Sequence, residues 1–187
     1  MLCLVPYLLS PAYAHEAHEH GAAKLNVAVD GEQVSIGLES PLANLLPFEH
    51  VPATPGQRRQ VREMARRMHQ AETLFHLTPS AECRLEKVTL ASERFDAALL
   101  DPNIPPEAAR AGGSKEPGGK GKKPAEEKHG DLDAEFVFVC AKPENLYSVE
   151  ILLFSAWPRL QKMEAQAVTP KGQRAASLTC KKNVLSW

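Results

Sequence analysis

The sequence predicts an α+β protein, rich in β-structure, with antiparallel sheets drawn from two similar halves and one long helix over about residues 55–76. Three observations carry this. Apolar residues alternate over 22–40 around an Asp30-Gly31 turn, they take up helical spacing after Thr54-Pro55, and after residue 129 a second alternating run echoes the first. With 187 residues and 43% hydrophobic content, the chain can bury a core. A net charge of −1 gives no surplus of Lys and Arg for nucleic acid.

Residues 1–14 read as a signal peptide. An apolar run ends in Ala12-Tyr13-Ala14, the small-x-small pattern of a cleavage site, so the mature chain is expected to begin at His15 in the periplasm. Pro6 and Pro11 argue against reading the run as a first strand. No later apolar stretch approaches the roughly 20 residues that span a bilayer.

The first half covers 15–100. Leu25, Val27 and Val29, then Val34, Ile36 and Leu38, form a hairpin with one apolar face per strand. Pro41 and Pro47 break that sheet. Thr54 is a helix cap and Pro55 a first helical residue, after which Val61, Met64, Ala65, Met68, Ala71 and Phe75 share one face while Arg58, Arg59, Arg62, Arg66 and Arg67 fill much of the other. Cys83, Leu85, Val88 and Leu90 read as a strand with an irregularity in its middle.

Residues 101–128, crowded with Pro, Gly and Lys, read as a disordered linker. The second half covers 129–187 and is expected to pack with the first as one domain. Phe136 to Cys140 is a central strand, Leu146 to Phe154 another, and short strands follow near 165–168, 175–178 and 184–187. At an offset of 109 residues, His20-Gly21 and its hairpin align with His129-Gly130 and the strands after it, which makes two related halves a reading beside that of two ordinary hairpins.

The chemistry lies with histidine. The expected mature start, His15-Glu16-Ala17-His18-Glu19-His20, offers imidazoles and carboxylates suited to Zn²⁺, Cu²⁺ or Ni²⁺. On an extended chain His18 and His20 point the same way and can chelate. His129, Asp131 and Asp133 alternate along a strand and share a face. His50 follows Phe48 and Glu49 in a loop, where a histidine is more often a surface residue. His69 and His76 read as a polar, solvated helix face. Of the cysteines, Cys83 and Cys140 sit in apolar strands and read as a disulfide, with Cys180 left over. No metal-hydrolase, serine-nucleophile or phosphate-loop motif is present, so no enzyme is expected.

In combination, His-Glu-His-Gly before a hairpin, Ser40-Pro41-Leu42-Ala43-Asn44-Leu45-Leu46 with Phe48-Glu49-His50, His129 to Phe136, and Thr169 to Leu178 resemble the ZrgA-type periplasmic zinc-binding proteins. The resemblance covers nearly all of the mature chain. It implies an accessory protein that binds Zn²⁺ and assists its delivery to a high-affinity zinc importer, a zinc ABC transporter or its solute-binding protein. Carried over by position, the implied ligands are His18, His20, His50, His129 and Asp131, with His15 and Asp133 as weaker candidates from the residue pattern. The family's central region is crowded with histidine, whereas 101–128 here has none, which leaves one or two sites near the folded core. Two readings stand beside this one: a periplasmic protein-interaction module in which the histidines are incidental, and a copper-binding protein that uses His15.

Overall fold

A computed structural model describes residues 19–105 and 130–187. Among the described residues no helix is long and apolar enough to cross a membrane. The chain forms strands β1 (Ala22–Asp30), β2 (Gln33–Pro41), β3 (Phe75–Leu77), β4 (Cys83–Ala91), β5 (Asp131–Cys140), β6 (Ser148–Ile151), β7 (Lys162–Thr169), β8 (Gly172–Thr179) and β9 (Val184–Ser186). Helices are α1 (Leu42–Leu45), α2 (Pro55–Met68), α3 (Ala97–Leu100) and α4 (Leu153–Ala156).

A six-stranded sheet runs in the order β4-β5-β2-β1-β7-β8, and a three-stranded sheet in the order β3-β6-β9. Along β1, β2, β5 and β7 every second residue is buried, so the large sheet has one covered face and one face in water. The covered face, including Leu25, Ile36, Phe136 and Met163, shares one core with Val61, Met64 and Met68 of α2 and with Val149, Ile151 and Leu185 of the small sheet. Phe75 of β3 and Phe136 of β5 meet with ring centroids 4.9 Å apart, a contact that joins the two sheets.

The first hairpin forms as its alternation requires. Leu25 faces Leu38 and Val27 faces Ile36, and Gly31 takes the left-handed conformation (φ 57°) that the turn needs. The irregularity in β4 is a register shift between Leu85 and Lys87. Cys83 and Cys140 face each other across β4 and β5 and are joined as a disulfide, with Cys180 free and exposed.

Four expectations need correction. The sheet is mixed, not antiparallel throughout, because β1 pairs β7 in parallel. The helix ends at Met68; Ala71–Thr73 is a 3-10 turn, and Phe75 begins β3, opposite Ile151 of β6. Ala71 and Phe75 keep helical spacing because turn and strand bury them in the same core, and no Gly or Pro marks the break before Pro79. The hairpin β1-β2 has no counterpart in β5 and β6, which lie in different sheets, and Leu153 and Phe154 are in α4. Pro143 opens a 3-10 turn, and Ala141 and Lys142 donate to Glu82 and Ala81, which carries the chain away before it can fold back on β5. At the start of the segment read as a linker, Arg62 Nη1 donates to Ile104 O at 3.0 Å.

Helix α2 begins in a capping box: Gln57 N donates to Thr54 Oγ1 at 3.1 Å, and Thr54 N donates back to Gln57 Oε1 at 3.1 Å. Replacing Thr54 by alanine leaves the Gln57 amide without its cap. The variant is expected to lose about 1 kcal/mol of stability, read as a lower urea midpoint with an unchanged slope.

Candidate metal site

The short helix α1 draws the chain's polar motifs into one corner. Asn44, only 2% exposed, accepts a hydrogen bond from Gly21 N at 2.7 Å through Oδ1. Its Nδ2 donates to Ala22 O at 2.8 Å and to Ser40 Oγ at 3.2 Å. A buried amide needs such partners, and here they fix the His20-Gly21 turn against α1. Gly21 has φ 87°, a conformation that disfavours side chains, and its carbonyl accepts from Gln161 N and Lys162 N at the start of β7. From the other side, Leu42 N donates to Gly130 O at 2.8 Å, which ties the beginning of β5 to the same helix.

Glu49 closes the corner. Its carboxylate Oε1 lies 3.6 Å from His20 Nε2, while its carbonyl oxygen stands 2.9 Å from where a Cβ on Gly130 would be. Glu49 Oε1 and Asp131 Oδ1 are both shut off from solvent. Ser92 Oγ donates to Asp131 O at 2.6 Å and accepts from Arg94 N at 3.3 Å, and the stem of Arg94 covers Gly130. The His20 side chain is 59% exposed, so an imidazole open to water stands beside a mostly buried carboxylate. Imidazole nitrogen and carboxylate oxygen together form a borderline donor set suited to Zn²⁺.

His50 takes another direction. Its ring stacks on Phe48 with centroids 5.1 Å apart, and Nδ1 lies 2.9 Å from Val51 O. A carbonyl only accepts, so Nδ1 carries the proton and Nε2 offers its lone pair, which faces Gln57 Nε2 at 3.4 Å. Asp131 and Asp133 share the open face of β5, as their alternation requires. Asp133 stands opposite Glu39 of β2; burial first, then the charges of Glu39 and Glu93, push its carboxyl above the usual carboxylate range.

The structure thus joins His20 to Glu49 and sets the backbone of Gly130 against Glu49. Among the described residues, no three His, Cys, Asp or Glu side chains gather closely enough to hold an ion. His15, His18 and His129 lie outside the described residues, as do the leader 1–14 and most of the linker. His69 and His76 do not share a helix face. His69 follows α2 and its Nε2 lies 3.1 Å from Leu100 O, whereas His76 is on β3, with Nδ1 3.6 Å from Glu150 Oε2. Sequence reading passed over Glu49, Asn44, Ser92 and Arg94. Two of these carried a signal: Glu49 lies between Phe48 and His50, and Asn44 is the one polar residue in Leu-Ala-Asn-Leu-Leu.

Fold and corner together define a disulfide-tied, one-sided β-sheet protein with imidazole and carboxylate donors at one end of its hairpin. A family model described as ZrgA family zinc uptake protein matches residues 17–187, and the chain belongs to that family. No curated protein matches it significantly.

Proposed function

We propose that the chain is a periplasmic zinc-binding accessory protein that captures Zn²⁺ and assists its delivery to a high-affinity importer. Membership of a zinc-uptake family supports the role, and the disulfide fits an oxidising compartment. The observation that carries the site is the pairing of His20 with Glu49 in a corner built from both sides of the 106–129 segment.

The proposed ligands are His20, His129 and Asp131, with His18 or His50 completing the set and His15 and Asp133 as weaker donors. Glu49 either binds the ion directly or holds the His20 ring in place, the orienting role a carboxylate commonly plays beside a metal-bound imidazole. No enzymatic reaction is assigned. A closed site of four fixed ligands would retain zinc, whereas ligands on separate chain segments, one of them exposed, suit an ion that must leave again.

Competition titration of the chain against a zinc-sensitive dye at pH 7 tests this reading. The wild type is expected to show saturable binding. His20→Ala and His129→Ala should each weaken it about tenfold or more, consistent with the losses seen around metal sites, while His76→Ala should leave it unchanged. Absence of saturable binding, or equal binding by all four proteins, would refute the site.

A further inference from the structure

We propose that the groove between α2 and the chain at Leu45–Pro47 is a docking site for an acidic segment of a partner protein that carries an apolar anchor residue. The groove has a volume of about 700 Å³. Its floor is apolar, with Leu46, Met64 and Trp157, and its wall is polar, with Arg59, Arg67 and Gln60 beside the single acid Glu63. A concave apolar floor beneath a polar rim is the form of a pocket that receives a side chain.

Charge selects the occupant. Helix α2 carries five arginines against the single acid Glu63, in a chain whose net charge is only −1. Glu63 is already engaged, by Arg66 Nη2 at 2.7 Å and Arg67 Nε at 3.5 Å. On the rim Arg59 has no acidic partner among the described residues and Arg67 shares Glu63 with Arg66, so the rim keeps a net positive charge and guanidinium groups suited to bidentate contact with carboxylates. An anionic membrane would meet a different surface: the exposed positions of α2 are Pro55, Arg59, Gln60, Glu63, Arg66 and Arg67, and no large apolar side chain stands out to enter lipid. The groove also reaches His50, because Gln57 lines it and contacts His50 Nε2. The proposal goes beyond zinc binding and stands whether or not zinc binds.

Selection of a random peptide library, about 12 residues long, on the full chain in excess chelator tests it. Enriched peptides are expected to be net negative with at least one aromatic or large aliphatic residue. Binding should change the emission of Trp157, one of two tryptophans in the chain. It should weaken at least tenfold in Arg59→Glu/Arg67→Glu and also in the milder Arg59→Gln/Arg67→Gln, with circular dichroism confirming that both fold. The proposal is overturned if no peptide is enriched over counter-selection on the variant, or if neutral or basic peptides are preferred. It is equally overturned if the chain sediments with phosphatidylglycerol vesicles in a manner that these substitutions abolish, which would make this face a membrane contact instead.

Discussion

Replacing Cys83 and Cys140 together by alanine is expected to lower stability by about 2–5 kcal/mol, the largest loss of any change discussed for this chain. The bond closes a loop of sequence separation 57. Chain-entropy arithmetic for a loop of that length gives about 4 kcal/mol at 25 °C. Cys140 is fully buried at the end of β5, so its truncation also leaves unfilled core. The bond fastens β4, an edge strand whose register is already interrupted, to the interior strand β5. Guanidinium denaturation of the double variant should show the lowered midpoint, and a reducing agent should shift the wild type towards it while leaving the variant unmoved. Cys180→Ala, at an exposed thiol, should stay within roughly 0.5 kcal/mol of wild type. Equal midpoints for wild type and double variant would show that the bond contributes nothing.

Gly130→Ala is expected to cost about 3 kcal/mol, the upper end of what overpacking usually costs. A Cβ there would lie 2.6 Å from Arg94 Cγ, 2.8 Å from Leu42 Cδ1 and 2.9 Å from Glu49 O. The arginine stem can swing aside. Leu42 is fully buried and Glu49 O is backbone, so neither can yield unless the loop that carries Glu49 moves. That movement would separate Glu49 from His20, and zinc affinity should fall along with stability. Gly37→Ala provides the control: it lies on the open face of β2, its nearest neighbour is Asn26 O at 3.9 Å, and it should change stability by no more than roughly 0.5 kcal/mol. If both alanine variants melt alike, the close packing at Gly130 has no energetic weight.

Local chemistry accounts for what could be read before the structure. The Asp30-Gly31 turn, the Thr54-Pro55 cap and the alternation along β1 and β2 are decided by neighbours a few residues apart, and they appear where their residues put them. The Cys83–Cys140 pairing was readable from the environment of each cysteine. The end of α2 was not, because Ala71 and Phe75 serve one core whether the backbone is helix, 3-10 turn or strand. Nor could a strand list reveal that β1 takes a parallel partner at β7, since pairing across more than a hundred residues is chosen by the core as a whole. The candidate corner divides in the same way. Histidine is conspicuous by its rarity, so His20 and His50 stood out. Asn44 and Glu49 did not, because what distinguishes them is burial and the non-local hydrogen bonds and contacts they make across α1.

Under the proposed function, zinc is held at the corner of His20, Glu49 and Gly130-Asp131. Titrating the ¹⁵N-histidine-labelled full chain with Zn²⁺ and following each imidazole by NMR tests it most directly. The seven histidines are few enough to assign by single substitutions. The His20 and His129 rings are expected to shift together and saturate with the first zinc equivalents, while His69 and His76 stay still. Saturating shifts confined to His69 or His76, or no saturating shift at His20 and His129, would contradict it.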